Sequence, residues 1–104
     1  MILKILPSAL DDLRDGWQFY EEQSEGLGDY FQNSLFSDID SLLLYAGIHR
    51  TVFGFHRLLS HRFPYAIYYR IADSQTVVVW RVLDLRRDPE SITTELREDR
   101  TRRG

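Results

Sequence analysis

Cysteine is absent from this chain of 104 residues. That absence excludes a disulfide framework, a thiolate nucleophile and a zinc–thiolate site, and it fits a reducing compartment. Lysine is almost missing: of the 13 basic residues, all but Lys4 are arginine. No glycine-rich phosphate loop occurs, and no apolar run is long enough to span a bilayer. The opening MILKILPSAL is too short for the apolar core of a signal peptide. These absences predict a cytoplasmic protein without membrane contact. The length predicts one domain over residues 1–104 with a single hydrophobic core.

What is present is ordinary in bulk and uneven in place. A hydrophobic fraction of 43% and a charged fraction of 28% suit a globular domain. The net charge of −3 hides two opposed halves. Residues 1–45 carry Lys4 and Arg14 against nine acids, a balance of −7, whereas residues 46–104 carry eleven arginines against seven acids, a balance of +4. Such a split predicts an acidic surface and a basic one, the latter suited to phosphates or an acidic partner, unless both are simply solvated faces.

Periodicity divides the chain in the same way. ILKIL, closed by Pro7, reads as a first strand. Ser8 reads as an N-cap, with Asp11 and Asp12 in the first turn of a helix over about residues 8–23. SEGLGD breaks it, and a second helix follows with Phe31, Leu35, Ile39, Leu42, Leu43 and Ala46 on one face. Its polar face carries Asp29, Gln32, Asp38 and Asp40, and Gly47 marks its end. From Thr51 onward TVFGFHRLLS, FPYAIYYRI and TVVVWRVLDL read as an antiparallel meander. After Pro89 a short amphipathic helix through Ile92 and Leu96 fits the pattern, fraying from about residue 100. The expected class is α+β, in the order β-α-α-β-β-β, with a helical hairpin on one face of a small, mainly antiparallel sheet.

Alternation assigns Ile67, Tyr69 and Ile71 to the face under the hairpin. Ala66, Tyr68 and Arg70 then line the opposite, solvent-facing side, with Arg81 as the companion of Arg70. An open face of arginine and tyrosine suits phosphates and stacked bases, and equally suits plain solvation. His49, His56 and His61 match no zinc-binding spacing, so no metal or other cofactor is expected. LLSHR places a serine beside a histidine, but no orienting acid is identifiable for a hydrolase triad.

Four segments in this order, ALDDL, WQFYEEQSEGLGDYF, FPYAIYYRI and VWRVLDLRRDP, resemble the RelE/ParE superfamily of type II toxin–antitoxin toxins. The resemblance covers residues 2 to about 90. It implies a small growth-inhibiting toxin, of plasmid-stabilisation type, that a cognate antitoxin wraps and neutralises in a hetero-oligomer. RelE-like members cut mRNA on the ribosome without a metal, whereas ParE-like members act on DNA gyrase and are not nucleases. Fold does not choose between them.

Metal-free RNA cleavage needs a base, cations for the phosphorane charge and an acid for the leaving oxygen. By resemblance, Arg57, Arg81 and Arg87 would supply cations, and His56 or Asp84 the base. Arg86, Arg70, Tyr68 and Arg62 are the further candidates for phosphate or target contact. Two positions depart from the RelE-like pattern. Ala66 stands where relatives commonly keep an arginine, and Asp84 where many keep a histidine or other base. Enzyme or not is thus left open, with the balance toward the ParE-like mode. A toxin reduced to an antitoxin-binding module is the third reading.

Overall fold

Pro7 fixes where the first helix starts. Its ring presets a helical φ, and its missing N–H costs nothing in a first turn. In the computed structural model, which describes residues 1–102 and side chains through Asp99, helix α1 spans Pro7–Gln23 with Leu6 as its N-cap. Ser8 is therefore inside the helix rather than capping it, and its hydroxyl donates to the carbonyl of Trp80 at 3.0 Å. Asp11 and Asp12 lie beyond the first turn.

The turn into α2, Leu27–Asp40, is held by the Glu21 carboxylate, which accepts from the N–H groups of Gly26 and Gly28 at 3.1 and 2.9 Å. Gly26 has a φ of 88°, which suits a residue without a Cβ. The hairpin closes tightly: a Cβ on Gly16 would stand 2.5 Å from the Phe31 ring. The expected second helix is divided. Ser41 ends α2, its hydroxyl donating to the Asp38 carbonyl at 2.6 Å, and a separate turn, α3, covers Leu42–Tyr45.

Five strands follow the expected meander, with one addition. β1 (Ile2–Ile5), β2 (Thr51–Val52), β3 (Phe55–Leu59), β4 (Tyr65–Asp73) and β5 (Thr76–Asp84) form one sheet in the order β1-β5-β4-β3-β2. TVFGFHRLLS supplies two of these strands, joined at Phe53 and Gly54, whose φ values of 52° and 83° fit a type I′ turn. β1 pairs in parallel with β5, and the remaining pairs are antiparallel. Helix α4, Pro89–Arg102, completes the α+β fold. The fraying expected from about residue 100 falls on side chains, and at 103 and 104 on whole residues, outside the described ones.

The sheet carries a core on each face. Under the hairpin, Ala9, Leu13, Phe31, Leu35 and Ile39 pack on Ile67, Tyr69, Val77, Val79 and Val82. On the other face Ile92 and Leu96 of α4 close over Phe55, Ala66, Tyr68, Trp80 and Leu83. The face expected to be open is covered. Burying Leu96 alone contributes on the order of 2 kcal/mol.

A bulge explains why simple alternation misassigned β5. Tyr68 pairs with Arg81 and Tyr69 with Val79, so Trp80 is an extra residue in the ladder. Val77 and Val79 accordingly lie under the hairpin with Val82, while Arg81, paired with Tyr68, keeps the face expected for it and there meets Glu95 and Asp99 of α4.

Candidate functional site

Beyond Ile5 the outer edge of β5 has no strand beside it among the described residues, and Asp12 takes that place. One Asp12 oxygen accepts from the Val82 amide at 2.9 Å and from Arg81 Nε at 2.7 Å, while the other accepts from Arg81 Nη2 at 2.9 Å. Arg81 also reaches Glu95 at 3.2 Å and Asp99 at 3.6 Å on α4. One guanidinium thus joins the hairpin layer, the sheet and α4. Burial raises the Asp12 carboxyl above its ordinary value, and Arg81 and the Val82 amide offset part of that rise. The same contact with Asp12 raises Arg81.

Arg87 is engaged in the same way. It donates to Glu95 at 2.9 Å and to the Ser91 hydroxyl at 2.6 Å, and this contact holds Glu95 below the usual carboxylate range. Arg86 grips Asp84 with two side-chain hydrogen bonds at 2.9 and 2.7 Å and lies over the rings of Phe19 and Tyr20. Burial opposes ionisation of Asp84, but the Arg86 side chain and amide prevail and keep its pKa low. A low-pKa carboxylate paired to arginine is a poor proton acceptor at neutral pH. Beside this pair, burial first and the Asp84 charge second push the Tyr65 hydroxyl up to about 12.

The tyrosine and arginine expected on an open face are beneath α4 or at its margin. Tyr68 is 1% exposed, and burial raises its hydroxyl against the opposing effect of the nearby Arg57. Arg70 is drawn over the rings of Phe55 and Trp80 at 4.3 and 5.0 Å, covering an apolar cluster. Arg62 is exposed on the β3–β4 loop.

The histidines gather elsewhere, beside β3. His56 Nδ1 donates to the His49 carbonyl at 2.7 Å and its ring stacks on Tyr69, with centroids 5.0 Å apart. The Tyr69 hydroxyl accepts from the Gly47 amide at 2.9 Å and donates to His49 Nδ1. Burial and the neighbouring His56 lower the His49 pKa. Asp38, expected on a solvated helix face, is buried and is the acid missing from the sequence reading. It accepts from the Ser60 hydroxyl and His61 Nδ1, both at 2.7 Å. Ser60 and His61 share the acid rather than bonding to each other, so the set anchors the β3–β4 loop to α2 and does not form a nucleophile–base pair. Among the described residues no group of three or more His, Asp or Glu is placed to hold a metal ion.

Sequence reasoning therefore named the arginines but missed Asp12, Asp38 and Glu95, the acids that fix them or their surroundings. An acid at helical spacing on a polar face carries no mark of a partner distant in sequence; Asp12 and Arg81 are 69 residues apart. What the site defines is a small α+β module, hairpin, sheet and α4, whose central cations are engaged by its own acids, beside a cleft with Arg50 and Arg57 among its lining residues.

The sequence profile of the ParE toxin of the type II toxin–antitoxin system parDE matches residues 3–89. The chain belongs to that family, and is accordingly the toxin component of a type II module with a cognate antitoxin as partner. Among solved structures it is similar to one described as a chromosomal ParDE TA system from P. aeruginosa. That match has a TM-score of 0.69 and 20% identity, over 82% of this chain and 96% of the other. Likeness at that identity speaks for the fold. No curated protein matches in sequence. No helix in the described residues is long and apolar enough to cross a membrane.

Proposed function

We propose that this toxin acts in the cytoplasm in the ParE-like manner, on DNA gyrase, and does not cleave RNA. The observation that carries the reading is the engagement of the would-be cleavage residues. Arg81 and Arg87 are spent on Asp12 and Glu95, and Asp84 is ion-paired to Arg86. Ala66, at the position of the missing arginine, is fully buried under α4. To use these groups on a phosphate the protein would have to surrender three ion pairs and uncover an apolar face. Catalysis depends on groups already aimed at the reacting atoms, and that arrangement is the reverse.

The test is induced expression without antitoxin, with DNA and protein synthesis followed by pulse labelling in one culture. The expected result is an early stop in DNA synthesis while translation continues, unchanged in direction by Arg87→Ala. A prompt stop in translation that Arg87→Ala relieves would overturn the proposal in favour of a metal-free endoribonuclease. No effect on either would leave an antitoxin-binding module.

A further inference from the structure

The tip of the helical hairpin carries aromatic rings that the core does not consume. Phe19 is 44% and Tyr30 50% exposed. Tyr20 and Phe63 join them, with ring centroids 5.0 Å apart from Phe19 to Tyr20, 4.9 Å from Tyr20 to Phe63 and 5.5 Å from Phe63 to Tyr30. The backbone beneath is braced: Glu21 holds the turn through Gly26 and Gly28, and Gly16 lets α1 close on Phe31. Helical spacing sets Asp15 and Glu22 on the same stripe of α1 as Phe19, one turn to either side. Both are exposed, and neither has a hydrogen bond or ion pair among the described residues. Asp15 and Phe19 also wall a cleft of about 220 Å³ between α1 and the end of β5. The other charges lining it, Asp12, Asp84 and Arg87, are engaged within the protein, so Asp15 is the one left to a ligand. Arg14 is the one basic residue in α1 and α2, and it is paired with Asp11. Arg86, over the Phe19 ring, is neutralised by Asp84, and Arg62 is exposed on the loop that carries Phe63.

We infer that this face of the hairpin, with Phe19 and Tyr30 as anchors and Asp15 and Glu22 as free carboxylates, docks on a cationic surface of DNA gyrase. The inference rests on the gyrase-directed reading and names the place and chemistry of contact. An enzyme that acts on DNA presents arginine and lysine to phosphates, so unpaired carboxylates find complementary charge there. Single apolar side chains scattered over a surface need no explanation, but rings joined in a strip mark a contact. Aromatic side chains on rigid elements lose little freedom on docking and carry a large share of the energy at protein interfaces. Asp15, at the wall of the cleft, receives a basic side chain of the enzyme, with the Phe19 ring beside it for a cation–π contact.

The full chain, free of antitoxin, is titrated onto immobilised gyrase holoenzyme at two salt concentrations. Wild-type binding should weaken with salt. Phe19→Ser and Asp15→Lys should each weaken it about tenfold or more, with the circular dichroism of the chain unchanged. Asp40→Lys, the same change of charge at the other end of α2, should leave it unchanged, and Asp15→Glu should retain most of it. A photo-reactive Phe19→p-benzoylphenylalanine chain should cross-link to gyrase on irradiation, whereas Ile71→p-benzoylphenylalanine, at the opposite end of β4, should not. If wild type binds gyrase while Asp15→Lys and Phe19→Ser bind as tightly, or the cross-link forms from position 71 and not from position 19, the surface assignment is wrong and the gyrase reading stands. If the wild-type chain neither binds gyrase nor stops DNA synthesis, that reading fails and this inference with it.

Discussion

Arg81 is the residue on which the two sides of the sheet depend. Its side chain is 15% exposed and that of Asp12 12%, so removing one partner leaves a charge in a place water scarcely reaches. Arg81→Ala should cost about 3–5 kcal/mol, read from urea denaturation, because Asp12 and Asp99 lose their counter-charge. Asp12→Asn should cost less than Asp12→Ala, since an amide oxygen can still accept from the Val82 N–H. His49 offers a second residue-scale prediction, this one in pH. Its folded pKa lies below the ordinary value of 6.5, so the unfolded chain binds the proton more readily. Stability is therefore complete above about pH 6.5 and falls as the pH drops from there through the lower folded value. Chemical denaturation of wild type and His49→Gln at about pH 7.5 and about pH 5.5 should show a larger loss for wild type.

At the scale of elements, α4 is the addition that turns a half-solvated sheet into a sheet buried on both faces. The family match ends at residue 89, where α4 begins. The helix is mostly polar, and its grip relies on Ile92 and Leu96 plus the arginine–carboxylate contacts to Glu95 and Asp99. Leu96→Ala should lower stability by about 2–4 kcal/mol in a urea titration and raise binding of a hydrophobic dye, by loosening the cover over Tyr68 and Ala66. The order of elements was legible from the chain because period-two and helical patterns alternate cleanly with glycine and proline breaks. The burial of Tyr68 was not. Local alternation told correctly that it faces away from the hairpin, but only the path of α4 decides whether that face meets water. The Trp80 bulge was hidden for a related reason: one inserted residue leaves composition untouched while putting Val77 and Val79 on the face opposite to Arg81, against strict alternation.

Across the whole molecule, the acidic and basic halves of the sequence do not remain apart. Asp12 crosses to Arg81, and Asp38 crosses to His61, so part of the opposition is consumed internally as structure. The candidate arginines were readable as residue types, and the resemblance located them, but their availability depends on contacts that join positions far apart in the chain. What stays outward beside β3 is Arg50, which is exposed at the cleft there.

The parallel pairing of β1 with β5 has a consequence in time. Ile2 is matched with Thr76, and among the described residues β1 has no other neighbour in the sheet. A chain emerging from the ribosome cannot seat its first strand until its last strand has been made, and closing so long a loop delays native pairing. The hairpin core is incomplete until then, because Val77, Val79 and Val82 form its floor. Nearly the entire chain must therefore be synthesised before the sheet and the core beneath its hairpin can close.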